Sequence, residues 1–470
     1  MSGLFSSLNN TVKAINAQGR ALEITGKNLA NVNNANYARQ RVLLGDRGTT
    51  LTVTGVESLG LEALGVEQLR DSLLDRQVMR EVSVQAGLQA EQAGYQRAQA
   101  GLGQTISTTG AADSTGAGGN GLGASLDRFF NAFQTFAASP TDVGGRQSVL
   151  QAVAMLSDRF QQTDTRLAQV QDDLDGQIAN DVRSANTLLG TIATLNGQIC
   201  RFEVNAPGSA VDLRDQRQAK IEELAAKIPV ELRDTADGQV QVSAKDANGG
   251  DVMLVDLAAV PGAVTFDGAQ LSAGAPATPL MVAGGSIKGA LTARDGGVQT
   301  LRDRLDTLSS QLVTAVNAIY NPTGASGNFF KDTGLTAGSL SVDPSVTVAN
   351  LRASDGAAGA NTIALAIAQL ASRRFSTAGI PADPIDGTLG QFYTGAVSEL
   401  GQALESANSR IDDQASIERL IRSQRDNVSG VSLDEEMADL MKFQRAFQAS
   451  SRVFSVIDEL LDGVVNRLGK

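Results

Sequence analysis

The chain has 470 residues, 42% of them hydrophobic, which is enough for two to four domains with ordinary cores. Its 39 basic and 51 acidic residues leave a net charge of −12, which speaks against nucleic acid or an anionic membrane surface as the main partner. It contains no histidine and a single cysteine, Cys200, so His-dependent triads, His or multi-Cys metal sites and an internal disulfide framework are all excluded.

Three further absences narrow the class. Aromatics make up 4% with no tryptophan, which lowers the prospect of sugar or cofactor stacking platforms. No apolar run approaches the roughly 18 residues that a membrane-spanning helix needs. The opening MSGLFSSLNNTVKAINAQGR has neither the charged nor the apolar region of a secretory signal peptide.

Taken in chain order, Leu4, Leu8, Ile15, Leu22, Leu29 and Val32 recur in a 3-4 rhythm that predicts a helix, with Thr11, Gln18 and Thr25 in its weaker slots. Gly19 and Gly26 lie on one flank, either as sites of close backbone approach or as tolerated residues. The Asn-rich stretch over 28–40 is expected to end that helix, because Asn accepts the left-handed conformations of turns. Residues 41–67 read as short strands, with TTLTV (49–53) the clearest alternation. Helical spacing resumes from Leu69 to Ala100, and 101–123 reads as a Gly/Ser/Thr-rich linker. Within the linker, GAGGNG (116–121) matches a dinucleotide-loop pattern, but no strand precedes it.

Residues 125–228 are predominantly helical in pattern. Leu126, Phe129, Phe130, Phe133 and Phe136 form one apolar face that ends at Ser139-Pro140. A second, rod-like helix is expected to start near Arg146, broken if at all near Gly176 or Gly190. On it, DDLDG (172–176) lacks calcium-loop spacing and reads as a solvated acidic face, and Cys200 reads as a small apolar packing residue. From 230 to 291 the pattern turns to strands, QVQVSA, VMLVDL and AVTFDG, separated by Asn-Gly, Asp-Gly and Pro-Gly turns. Asp246, Asp251 and Asp256 there are candidates for an acid/base pair, but they suit turns and strand edges better, and Phe266 is the region's one aromatic. Helix returns at about 297–320, followed by a loop-rich stretch with short strands to about 360 and mixed structure to about 393. The last helices are expected at about 394–426 and 432–468.

The closing helix has the strongest pattern in the chain: Leu433, Leu440, Phe443, Phe447, Phe454, Ile457, Leu461, Val464 and Leu468, interrupted by Glu436 and Ser450. At about 1.5 Å per residue it would run roughly 50–55 Å. Ser432 and Glu435 stand in capping-box spacing, and Asp434, Glu435 and Glu436 sit at the dipole's positive end, with Arg467 and Lys470 at the other. The expected plan is mainly α with a β-rich insertion. Terminal helices over 1–40 and 427–470 form a coiled-coil or bundle core, an inner mainly helical domain covers 41–229 and 292–426, and a small β-rich outer domain covers 230–291.

This nesting and its motifs resemble the axial proteins of the bacterial flagellum. The segment GRALEITGKNLANVNNANYARQ is similar to the family signature, carried here by Asn28, Ala30, Asn31, Tyr37, Arg39 and Gln40. It departs at Ala35-Asn36, where the family usually has Pro-Gly, and Asn36 is expected to keep the turn by taking a left-handed conformation. Inside the chain, Pro140, Arg146 and Val149, then Leu195, Asn196, Ile199, Leu213, Arg214, Asp215 and Arg217, then the loop ending Phe329-Phe330, are similar to landmarks of the hook-associated members. The C-terminal helix is the closest match, and the likeness is weakest over 230–320 and 340–390.

The resemblance implies a structural subunit with no catalytic, cofactor or metal residues, polymerising at the hook–filament junction through the two terminal seams. It implies export through the flagellar type III apparatus without a cleaved signal, ends that fold on assembly, and no membrane insertion. The implied partners are further copies of the chain, the hook protein, hook-associated protein 3 and a cytoplasmic export chaperone. Alternatives are hook-associated protein 3 itself, a rod or hook protein, or a secreted carbohydrate-active protein.

Overall fold

A computed structural model describes residues 2–46, 48–52, 55–58, 60–103, 121–324, 327–333, 335–356 and 359–463. All of GAGGNG but Gly121, most of the 101–123 linker, Val464, Leu468, Arg467 and Lys470 lie outside the described residues. The chain opens with α1 (Ser2–Ala30), followed by β1 (Gln40–Asp46), β2 (Thr49–Thr52), β3 (Gly55–Ser58) and β4 (Leu61–Gln68). Long helices come next: α2 (Ser72–Leu102), α3 (Leu122–Ala138), α4 (Val143–Phe202) and α5 (Val211–Ala225). The mid-chain strands are β5 (Glu231–Asp234), β6 (Val240–Lys245), β7 (Asp251–Val255), β8 (Thr265–Phe266), β9 (Leu271–Ala273) and β10 (Thr278–Pro279). The chain closes with α6 (Gly285–Leu291), a π-helical stretch Thr292–Val298, α7 (Gln299–Tyr320), α8 (Thr362–Gln369), α9 (Leu389–Ser429) and α10 (Leu433–Asp462). The mainly α class with a β-rich insertion is therefore the observed one.

Two compact units emerge. One comprises Met1–Gln85, Val182–Gly285 and Gln414–Lys470, the other Ala86–Asp181 and Ser286–Asp413. The second unit is organised by aromatics. Leu126, Phe129, Phe130, Phe133 and Phe136 of α3 are all buried, as the apolar spacing predicts. Phe329 sits edge-on to Phe133 at 5.5 Å and to Tyr320 at 5.4 Å. The Asn317 amide oxygen accepts the backbone N–H groups of Phe329 and Phe330 at 3.1 and 2.9 Å, so the loop can enter the core with its polar groups satisfied. The short strands expected over 321–360 reduce, among the described residues, to one bridge between Phe330 and Val342 and a 3-10 turn at Ala337–Ser339.

α4 runs unbroken for 60 residues, about 90 Å at the usual rise. Gly176 and Gly190 do not interrupt it. It begins three residues earlier than the periodicity suggests, because Asp142 accepts the N–H groups of Gly144 and Gly145 at 3.2 and 2.8 Å and caps the first turn. Asp175 of the acidic cluster is not merely solvated; it pairs with the Arg294 guanidinium.

In the first unit β1 pairs antiparallel with β4 and β2 with β3, while β5-β6-β7 and β8-β9-β10 form two antiparallel sheets. The turn signals hold: Gly238, Gly249 and Gly268 all take positive φ. The three candidate carboxylates have structural work. Asp246 accepts the N–H groups of Asn248 and Gly250, Asp251 pairs with Lys245 at 2.7 Å, and Asp256 accepts from the Gln241 amide at 2.8 Å. Cys200 is half-buried on α4 with its Sγ 3.9 Å from an Asp237 oxygen.

Asn196, fully buried near the end of α4, ties the helix to the strands. Its amide donates to the carbonyls of Val240 and Leu257 at 2.7 Å each and accepts from the Val240 N–H at 3.2 Å. Glu203, about two turns on and just past the end of α4, ties the helix to α5, gripping Arg214 through both carboxylate oxygens at 2.8 and 2.7 Å and the Ala210 N–H at 3.1 Å. Burial pushes its carboxyl up, but Arg214 and the N–H groups of Gly208 and Ala210 outweigh that and hold it below the usual carboxylate range. A depressed carboxyl stabilises the fold above its unfolded pKa, and that stability is lost as pH falls through the folded value. Urea unfolding should therefore show the wild type losing more stability than Glu203→Gln between neutral pH and about pH 3. Equal losses would mean that the Glu203–Arg214 pair adds nothing at neutral pH.

Candidate assembly interface

α1 ends on Asn28, and one side chain there organises the whole N-terminal turn. Asn28 Nδ2 donates to the Gln40 carbonyl at 2.8 Å, and its Oδ1 accepts from the Gln40 N–H at 3.0 Å and the Tyr37 hydroxyl at 2.7 Å. The same Nδ2 also reaches Glu436 Oε2 on α10 at 3.0 Å. Arg39 closes the junction: its Nε donates to Glu436 Oε1 at 2.6 Å, its Nη1 to Glu435 at 2.6 Å, and its backbone N–H to the Ser429 carbonyl at 2.8 Å. Burial lowers the Arg39 pKa, yet the Glu436 and Glu435 carboxylates more than reverse it and the guanidinium is held above its ordinary value. Burial, together with Asp215, Asp212 and Glu436, raises the Tyr37 phenol well above its ordinary value, so it stays a donor.

Four signature positions, Asn28, Tyr37, Arg39 and Gln40, thus meet in one network; Asn31 caps the end of α1 by donating to the Lys27 carbonyl at 2.9 Å, and Ala30 is exposed. The turn holds, but not in the expected way. Leu257 is the one non-glycine with positive φ among the described residues, so Asn36 is not left-handed; its N–H is instead taken by the Asn34 side chain at 3.2 Å. The capping box is also not formed. Ser432 makes no side-chain cap bond, and the Glu435 side chain is drawn to Arg39, where a charge-assisted bond outweighs a neutral one.

α1 and α10 pack against one another and run antiparallel, with Asn28 opposite Glu436 and Gly19 opposite Phe447. Leu4, Leu8, Ile15, Leu22, Leu29 and Val32 are half-buried. The fully buried face of α1 is offset from them and made of smaller residues, Ala17, Ala21, Ile24 and Thr25. On α10, Leu440, Phe443, Phe447, Phe454, Ile457 and Leu461 are half-buried, while Leu433 is 52% exposed. An added Cβ at Gly19 would meet Phe447 at an ordinary 3.9 Å, and one at Gly26 would meet nothing within 4 Å, so neither glycine is required by packing inside one chain.

Two features escape the periodicity. Glu436, which reads as a gap in the seam, is 2% exposed and forms its anchor. Apolar residues are also exposed outside the seam, Met441 and Val456 on the far side of α10, with Met437 on one flank and Val453 and Leu460 on the other. Among the described residues no group of acidic or cysteine side chains could hold a metal, and no described helix is long and apolar enough to cross a membrane.

Comparison with known proteins follows the same outline. Residues 112–329 match the helical domain of the flagellar hook-associated protein FlgK, and 422–468 match the C-terminal model of the flagellar basal body rod proteins FlgEFG. Flagellar hook-associated protein 1 of Bacillus subtilis is 27% identical, aligned over 100% of this chain and 99% of its own length. The Escherichia coli protein of that name is 23% identical over 98% and 99%. The Salmonella typhimurium one is 27% identical over 70% of this chain and 59% of its own. The flagellar hook junction protein FlgK from Burkholderia pseudomallei superposes with a TM-score of 0.45 at 19% identity, covering 55% of this chain and 46% of that one.

Paired terminal helices bracketing a helical interior with a β-rich insertion, matched at both interior and C-terminus, define an axial component of the bacterial flagellum. Within that class, the chain is similar along its full length to flagellar hook-associated protein 1.

Proposed function

We propose that the chain is a structural subunit that polymerises at the hook–filament junction, with its terminal helices (1–40 and 427–470) as the assembly domain. The observation that carries this reading is the apolar surface left over on α10: one face is half-covered by α1 of the same chain, and Met437, Met441, Val453, Val456 and Leu460 stand exposed around the rest of the helix. A helix with this much apolar surface uncovered is only partly satisfied in a single chain, and the exposed residues suit equivalent helices of neighbouring copies. The hook protein and hook-associated protein 3 are the neighbours at either end of that layer. Export runs through the flagellar type III apparatus without a cleaved signal, and a cytoplasmic chaperone shields the exposed apolar residues of α10 until assembly.

The role calls for no catalytic step, and the acidic residues of the β-rich region serve turns and ion pairs, as the Asp246 turn illustrates. Deleting the gene should leave hooks without filaments and release filament subunits into the medium, with both defects restored by the intact gene. Normal filaments in the deletion strain would overturn the reading.

A further inference from the structure

The unit that carries the terminal helices also encloses a cavity of about 360 Å³, between the start of α2, α5 and the first sheet. Four guanidinium groups line it, and two of them are already matched. Arg70 binds Asp75 at 3.0 Å and Asp215 at 2.6 Å, and Arg214 binds Glu203 at 2.7 Å. Of the lining carboxylates, Asp75 is taken by Arg70 and Glu67 by Arg41 at 3.3 Å, which leaves Asp234, exposed on β5.

Arg217 is different. It is 6% exposed, and its one bonded nitrogen, Nη1, donates to two neutral oxygens, Asn196 Oδ1 at 2.9 Å and the Gly238 carbonyl at 2.8 Å. Among the described residues its Nε and Nη2 make no hydrogen bond, and no carboxylate lies within ion-pair distance. The other buried arginines are neutralised, Arg425 by Glu222 at 2.9 Å and Arg294 by Asp295 at 2.7 Å. Arg76, on the same wall, also has no ion pair. Burial and the neighbouring Arg214 push the Arg217 pKa down to about 10, against the opposing pull of the more distant Asp234 and Glu203 carboxylates, so it still carries its charge at neutral pH.

A buried cation held by neutral acceptors is costly, and a free guanidinium edge matches the two oxygens of an oxyanion. We propose that this cavity binds a small oxyanion, a phosphate or a carboxylate, on the free edge of Arg217, with Arg76 supplying the second positive charge. The site is distinct from the terminal seams and independent of the assembly function.

The test is thermal unfolding of the full chain titrated with sodium phosphate and, separately, sodium citrate, each against sodium chloride at matched ionic strength. A saturable rise in Tm with either anion is expected; response to phosphate alone assigns a phosphate site, and response to citrate alone a carboxylate site. Arg76→Ala, which removes a half-buried side chain with no ion pair, should weaken the apparent affinity about tenfold while leaving the anion-free Tm close to that of the wild type. Arg217→Lys, which keeps the charge but loses the fork, should weaken it as well. No anion-specific rise, or an unchanged response in both variants, overturns the proposal.

Discussion

Replacing Arg39 by Ala is expected to destabilise the isolated chain by about 3–5 kcal/mol, because it leaves the Glu436 carboxylate buried with only an amide donor. Glu436→Ala should cost less, about 2–3 kcal/mol, since Arg39 retains Glu435 at 2.6 Å and Asp439 at 3.6 Å. The order matters as much as the size. The carboxylate is 2% exposed whereas the guanidinium side chain keeps 21%, so removing the cation strands a charge and removing the anion does not. Urea unfolding of both variants, with amide exchange read in the first turns of α10, checks this. If both variants unfold like the wild type, Glu436 does not anchor α10.

The second large effect separates the two faces of α10. Phe447→Asp or Phe454→Asp puts a charge into the half-buried seam against α1, which costs several kcal/mol unless the helices part. Met441→Asp with Val456→Asp changes only exposed positions, 52% and 56% accessible, and should alter the isolated chain's stability by no more than about 0.5 kcal/mol per site. Both pairs should nonetheless give secreted, unassembled protein and filament subunits lost to the medium. Chemical denaturation of the purified variants, set beside filament counts on cells, distinguishes the faces. Normal filaments from Met441→Asp/Val456→Asp would mean that the far side of α10 is not an assembly surface.

The pair of terminal helices was legible because large apolar residues repeat at helical spacing over many turns, and α4 because nothing but isolated glycines interrupts its pattern. What stayed hidden depends on partners far apart in the chain. Glu436 looks like a flaw in a heptad until Asn28 and Arg39, some 400 residues away, supply its donors. The buried face of α1 is displaced from the leucine series because Ala17 and Ala21 contribute little apolar signal yet allow close approach. The exposed apolar residues of α10 escape for a different reason: spread over the far side and both flanks they share no period, and the phenylalanines of the seam carry the pattern. Arg217 could be singled out as a landmark by resemblance, but its missing counter-charge is visible only once the strands around Asn196 are in place. The turn at Asn36 had the right residue type for a left-handed position, and Asn34 made that conformation unnecessary.

Expansion of the chain's role beyond a terminal helix pair rests on where the subunit sits in the flagellum. Electron microscopy of intact cells labelled with antibody against this chain measures that directly. The account predicts a single narrow band at the distal end of the hook, absent from the rod and from the length of the filament. Label spread along the filament, or confined to the cell body, would contradict it.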